Sequence, residues 1–289
     1  MMCEAVFLKC VYCTDSRASA HAQHGCDCSS VLSKKQTMVA AADAGLIDLY
    51  EDCGWRVGQE HVTTLAAIPA SGTYEGVSWS VGESQPEQQI TLVLMHKGLY
   101  HLVTPVLDTN GNSRSTCSFV VGVKDCLSEA GYMNPSNTNA GSWKSSKRRY
   151  WCNGGFRQSL PVSLQATFKQ FHCETVTAYN ASTTTTSQDY FALPAAAEVF
   201  KGDETYGQGG KAGQQTAYSN LTEFKALTRF TWYETTSNRI KNQNGSAYYW
   251  WERSPNYDSG YPFCRVHSNG YATGYNASDA SGLAPFGCI

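Results

Sequence analysis

Tyr248-Tyr-Trp-Trp-Glu-Arg-Ser-Pro255 and Gly282-Leu-Ala-Pro-Phe-Gly-Cys-Ile289 bracket a stretch of different character. The two flanks are stiff and apolar. Between them, Asn256 to Ser281 is built from Gly, Ser, Asn, Tyr, Ala and Asp with no clear period. This reads as a framework around a permissive surface. From Asn256 to Ile289 there is no Lys, Glu, Gln, Met or Trp, where chain-average composition would place about six. A coding constraint accounts for the gap. Randomising the adenines of an AAY codon yields Asn, Tyr, Asp, His, Ser, Thr, Gly, Ala, Pro, Arg, Cys, Phe, Leu, Ile and Val, never a stop and never the missing five. The competing explanation is a low-complexity Gly/Ser/Asn loop.

Tyr257, Asp258, Ser259, Tyr261, Pro262, Arg265, His267, Tyr271, Thr273, Tyr275, Asp279 and Ser281 all fall within that codon set. Tyr supplies rigid contact area, and Ser, Gly and Asn supply adaptable hydrogen bonds. The whole chain leans the same way, with 17 Tyr and 7 Trp in 289 residues. Its formal charge of −2, with 16% charged residues, gives no electrostatic footprint for nucleic acid or an acidic membrane. No apolar run reaches the roughly 18 to 20 residues of a membrane-spanning helix. The apolar patch in Met1 to Lys9 is broken by Glu4, and it is too short for the apolar region of a signal peptide.

The 12 cysteines form two groups. Cys10, Cys13, Cys26 and Cys28, with His21 and His24, offer thiolates and imidazoles in a spacing that could close a tetrahedral zinc site. The alternative is a poorly ordered or misassigned start, with Met38 as another initiation point before an Ala-rich helix capped by Ser33 and ended by Gly45. The cysteines from Cys53 to Cys288 read as buried thiols used as small apolar residues. On this basis residues 1–47 are an N-terminal arm and helix, and 48–289 are the main domain.

Within the main domain, His61 to Ile68, Gln89 to Met95, Leu99 to Leu107 and Cys117 to Val123 read as strands. His96-Lys97-Gly98 is the tight turn expected to join the second and third as a hairpin. Met133 to Gly141 is a loop by composition, as is Thr183 to Ser187. The basic run Lys144, Lys147, Arg148 and Arg149 reads as a solvated helix face. Pro161 opens a helix carrying Val162, Leu164, Phe168 and Phe171. Pro194 opens another over Ala195 to Phe200, and Asn220 to Glu223 resembles a capping box for a third running through Phe224, Leu227 and Phe230. Ala247 to Trp251 returns to strand. Strands first, helices in the middle and strands again predict an α+β fold with helices on an irregular antiparallel sheet.

No nucleophile elbow, metalloprotease helix, P-loop or dinucleotide fingerprint is present. Gly207 to Gly210 follows no strong strand, so it reads as a loop. Asp108 to Asn112 superficially matches a calcium loop, but Phe119 stands where the twelfth-position glutamate belongs. His172 beside Cys173 lacks a third group to complete a catalytic dyad. The expectation is a binding protein and not an enzyme.

The run WWERSP, the Phe263, Cys264, Val266, Ser268, Gly270 core and the ending GLAPFGCI resemble variable proteins of diversity-generating retroelements from gut phages and prophages. Phe119-Val-Val-Gly-Val, Tyr132-Met-Asn, Asn139-Ala-Gly-Ser-Trp-Lys, Arg149-Tyr-Trp-Cys-Asn, Leu160-Pro, Phe168-Lys and Asp189-Tyr-Phe-Ala-Leu-Pro with Glu198-Val-Phe carry the same resemblance. It covers about residues 48 to 289.

The resemblance implies a C-type-lectin-like fold of the formylglycine-generating-enzyme kind, with a hypervariable region at about 256–281. It makes Trp250, Trp251, Arg253, Pro255, Phe263, Val266, Leu283, Pro285 and Phe286 framework, and the twelve codon-set residues the ligand contacts. It also implies a phage tail-tip adhesin or bacterial-surface protein. The expected partners are a bacterial surface protein or glycan receptor and other tail proteins, often in a symmetric homo-oligomer. The rival class is a structural virion or prophage-encoded surface protein with no diversified ligand. The fold's enzyme relatives use a C-terminal cysteine pair; Cys264 and Cys288 occupy such a place here without the surrounding catalytic motif.

Overall fold

The computed structural model describes residues 56–107, 113–179, 181–201, 227–256 and 259–289. The Cys/His cluster, the Ser33 helix, Asp108 to Asn112, Gly207 to Gly210 and the Asn220 capping box lie outside them. In chain order the strands are β1 (Glu60–Leu65), β2 (Ser71–Tyr74), β3 (Val77–Ser80), β4 (Gln88–Lys97), β5 (His101–Leu107), β6 (Ser113–Thr116), β7 (Phe119–Val123), β8 (Phe171–Val176) and β9 (Thr184–Asp189). There follow β10 (Phe191–Ala192), β11 (Lys241–Gln243), β12 (Ser246–Tyr248), β13 (Trp250–Pro255), β14 (Pro262–Val266), β15 (Ala272–Asn276) and β16 (Phe286–Cys288). The helices are α1 (Ser142–Ser145), α2 (Lys147–Trp151), α3 (Arg157–Ser159), α4 (Val162–Thr167) and α5 (Ala196–Phe200).

The fold is α+β, and its strand ladders are antiparallel. The main sheet runs β1-β4-β7-β16-β10, and a four-stranded sheet runs β6-β5-β8-β9. The expected hairpin of β4 with β5 does not form, because the two strands belong to different sheets. Leu92 to Met95 are all buried, the mark of a central strand packed on both faces. Both edges of β4 are taken, by β1 and β7, so β5 has nowhere to pair. Gly98 and Leu99, at φ 71° and 103°, redirect the chain into the second sheet.

Three further expectations are corrected. Thr183 to Ser187 is largely strand, since β9 pairs with β8 in the register Val176↔Thr184; β-branched Thr suits a pleated edge even where composition reads as loop. Phe171 is in β8, not on the helix that began at Pro161. That helix stops at Thr167, where Phe168 turns extended at ψ 128°. The helical spacing of Leu164, Phe168 and Phe171 came from two elements reaching one core. Finally, Arg148 and Arg149 are not solvated: both are buried.

Each buried arginine has its own acceptors, as a desolvated cation requires. Arg148 donates to the Val81 carbonyl at 2.8 Å and the Tyr132 carbonyl at 2.7 Å. Arg149 Nε donates to Asp189 Oδ1 at 2.6 Å, and Asp189 Oδ2 accepts from Trp143 Nε1 and Ser187 Oγ. This network pins the α1–α2 segment onto β9. A π-helical turn, Cys152–Phe156, then carries α2 into α3.

The C-terminal motif is the centre of the core. Phe286 packs against Tyr100, Phe171 and Phe230, with ring centroids 5.1 to 5.6 Å apart. A Cβ on Gly287 would stand 2.7 Å from both a Phe168 ring carbon and the Tyr190 carbonyl, so only glycine fits the approach of β16 to its neighbours. Ile289 exchanges backbone hydrogen bonds with Phe119 at 3.0 and 3.1 Å. Of the helix expected through Phe230, Leu227 and Phe230 are described; both are buried, and Phe230 precedes a short 3₁₀ turn, Thr231–Glu234. Among the described residues, no helix is long and apolar enough to cross a membrane.

Beneath β13 lies a buried ion pair. Arg253 grips Glu198 of α5 through both carboxylate oxygens, at 2.6 and 2.8 Å. Tyr100 also donates its hydroxyl to Glu198, and the Ala195 amide donates to Glu198 Oε2 at 2.8 Å. Burial opposes the charge on Arg253, but the anionic surroundings, Glu198 among them, outweigh it and raise its pKa above the usual arginine range.

Candidate functional site

The three-stranded sheet β13-β14-β15 carries the segment singled out by sequence. All nine proposed framework residues, from Trp250 to Phe286, are buried. Trp250 Nε1 donates to the Arg239 carbonyl at 2.8 Å, and Trp251 Nε1 to the Gly131 carbonyl at 2.7 Å, so each indole has its polar handle satisfied.

The candidate contact residues sit differently. Tyr261, Tyr271 and Tyr275 are 61%, 37% and 41% exposed, high values for large side chains that could pack inward. β14 and β15 form a hairpin in which Arg265 faces Thr273 and Phe263 faces Tyr275. Its turn is closed by His267 N to the Tyr271 carbonyl, 2.7 Å, and Gly270 N to the His267 carbonyl, 2.8 Å. Gly270 adopts φ 85°, a conformation that favours glycine.

Arg265 is the organising residue. Its guanidinium lies 4.2 Å from the Tyr249 ring centroid and 3.8 Å from that of Tyr275, and Nη1 donates to Ser281 Oγ at 3.2 Å. The Tyr249 hydroxyl is 2.8 Å from His267 Nε2, with the two rings edge to face at 4.4 Å. Cation–π and edge-to-face contacts of this kind hold aromatic side chains in fixed orientations. Ser259, Pro262, Thr273 and Asp279 are half-buried around this cluster. Ser281 departs from the expectation. It is fully buried, its amide bonds the Gly131 carbonyl, and its hydroxyl supports Arg265 from below. Tyr257 and Asp258 lie outside the described residues.

Residues that sequence reasoning missed complete the surface. Tyr249, read as part of the apolar flank, is a half-buried member of the arginine cluster. Tyr179 is 48% exposed, and its ring would come within 3.0 Å of a Cβ on Gly260. It therefore extends the aromatic surface from outside the 256–281 segment. Nothing in the neighbouring Thr177 or Ala178 signals this role. The Met133 to Gly141 loop buttresses the hairpin: buried Asn139 donates its side-chain amide to the carbonyls of Ser259 and Pro262, both at 2.8 Å, and its backbone N–H to Gly260. Met133 and Asn134 both donate backbone N–H groups to the Ala277 carbonyl. An Asn in a polar loop gives no sequence sign of such reach.

Candidate chemistry elsewhere does not assemble. His172 is exposed while Cys173 faces the core, so the pair points to opposite sides of β8. Cys264 and Cys288 are buried, and no disulfide joins the described cysteines. Burial raises the Cys288 thiol well above its ordinary pKa, as does its contact with Cys117, the opposite of what an activated nucleophile needs. Among the described residues, no three His, Cys, Asp or Glu side chains form a metal cluster.

Fold and surface together define an α+β protein that presents a tyrosine- and arginine-faced hairpin on a buried framework. The chain belongs to the family described as Domain of unknown function (DUF6273), whose model matches residues 119–289. No curated protein and no solved structure matches the chain.

Proposed function

We propose that this is a hypervariable receptor-binding protein whose ligand surface is the β14–β15 hairpin with Tyr249 and Tyr179. The supporting observation is the division within one sheet. The apolar flanks are buried, while Tyr261, Tyr271 and Tyr275 stand out beside an arginine held between two tyrosine rings. Rigid aromatics and arginine are the residues that dominate binding energy at interfaces, and holding them in place beforehand lowers the entropy cost of association. The coding pattern of Asn256 to Ile289 and the resemblance to retroelement-diversified proteins support a surface rewritten between copies, on a C-type-lectin-like framework. The ligand is then a bacterial surface protein or glycan, and the protein acts at a phage tail tip or on a bacterial surface.

The test is cell binding by a triple variant. Labelled parent protein is expected to bind a subset of intact gut-bacterial isolates, and Tyr261→Ala/Tyr271→Ala/Tyr275→Ala to lose that binding. Each exposed change should stay within about 0.5 kcal/mol of parental stability. Unchanged cell binding by a folded triple variant would sink the proposal. A collapse in stability would assign these tyrosines to the core instead.

A further inference from the structure

A second candidate site lies where β5, the α3–α4 segment and the chain entering β8 meet. A cavity of about 330 Å³ opens there, with Thr104, Val106, Arg157, Phe168, Lys169 and Tyr190 in its walls. Two cations line it, and among the described residues no carboxylate does. In a chain of net charge −2 this local excess of positive charge is not a compositional accident of a basic protein.

Arg157 carries the argument. Its guanidinium stacks on the Tyr190 ring at 3.7 Å, and its Nε is shut off from solvent without an acceptor. Among the described residues no carboxylate pairs with it. The other inward-facing arginines each have at least one protein acceptor, although Arg253 shares the orphaned Nε. Arg148 has carbonyls, Arg149 has Asp189, Arg239 has the Tyr233 carbonyl and Arg253 has Glu198. A desolvated cationic donor without an acceptor is costly, and one kept in a native fold calls for an explanation. Stacking supplies half of it: the tyrosine fixes the plane of the guanidinium, so its donor fork is already oriented. Lys169, whose Nζ donates to the Ala166 carbonyl at 3.1 Å, adds a second positive charge along the wall.

We infer that this cavity binds a small organic carboxylate. A planar carboxylate matches a fixed guanidinium through two parallel hydrogen bonds, here from the terminal nitrogens, since the Nε is shut off from solvent. The apolar walls, Phe168 and Val106, suit the carbon skeleton of such a ligand. The volume falls at the lower end of small-molecule sites, room for a single sugar acid and not for an oligosaccharide. Thr104 offers a hydroxyl for a neutral oxygen of the same molecule.

The experiment is a calorimetric titration of the full chain with glucuronate, with glucose as the neutral counterpart and inorganic phosphate as the inorganic anion. Glucuronate is expected to bind, and glucose and phosphate to bind at least tenfold more weakly. Arg157→Gln should weaken glucuronate by about tenfold or more, the scale of one lost charge-assisted bidentate contact. It should lower the melting temperature by no more than a few degrees, because it forfeits the stack on Tyr190 but strands no hydrogen-bond partner. Lys169→Met should weaken binding severalfold, and it decides the matter should Arg157→Gln not fold. The Tyr261/Tyr271/Tyr275 triple alanine variant should titrate like the parent. No heat with glucuronate, equal binding of phosphate, or parental binding by both single variants would each overturn the assignment.

Discussion

Replacing Glu198 by Gln should cost far more than its size change suggests. The carboxylate is fully buried and serves four donors: both terminal nitrogens of Arg253, the Tyr100 hydroxyl and the Ala195 amide. Glutamine keeps one carbonyl oxygen and turns an amide NH₂ toward a guanidinium that is itself fully buried. Breaking a buried ion pair from one side leaves an uncompensated charge, worth about 3–5 kcal/mol. Against a typical total of about 5–15 kcal/mol for a domain, the variant would be close to marginal. Urea unfolding followed by tryptophan fluorescence measures the loss. Arg253→Met should cost a similar amount, since it strands the carboxylate. The double variant should cost about 2–3 kcal/mol less than the sum of the two, because neither charge is then left alone. A loss below about 1 kcal/mol for Glu198→Gln, or strict additivity in the double variant, would refute the reasoning and remove Arg253 from the framework.

Trp250→Ala or Trp251→Ala should each cost about 3–5 kcal/mol, as truncation of a fully buried aromatic does, measured by the same unfolding curves. Asn139→Ala would strand the Ser259 carbonyl and remove one of two donors to that of Pro262, which keeps the Asn256 N–H, at about 1–3 kcal/mol, and should speed amide exchange in β14 and β15 before other strands. Lys241 is fully buried, and burial lowers its pKa from 10.5 to about 8. The folded chain therefore releases that proton before the unfolded chain does, so this group's contribution to stability rises from pH 8 to pH 10.5. The stability difference between parent and Lys241→Met should shift in the parent's favour by about 3 kcal/mol across that window, and a flat difference would show that Lys241 is not buried.

Much of the architecture was legible because it rests on local signals. Pro194 before Ala195 to Phe200 marked α5, Cys117 to Val123 read as a strand and holds β7, and the order of elements gave the α+β class. What failed were questions of partnership. Whether β4 pairs with β5 depends on which edges β1 and β7 have already taken, and no short window records that. Arg148 and Arg149 looked solvated because charge is the visible property of an arginine. Their acceptors, Val81 and Asp189, lie 67 and 40 residues away. The candidate surface shows the same split: Tyr261, Tyr271 and Tyr275 were legible from composition, whereas Tyr179 joins them only because Gly260 leaves room for its ring.

The Asn139 buttress touches the hairpin segment through the main-chain oxygens of Ser259, Gly260 and Pro262. Those atoms are the same whatever side chains the segment carries. A support of this kind is blind to sequence, like a vice that holds any tool by a common shank. New side chains can be installed at the tip without renegotiating the grip. Most proteins lose stability as they explore new surfaces, and here that coupling is weakened, which widens the range of variants that still fold.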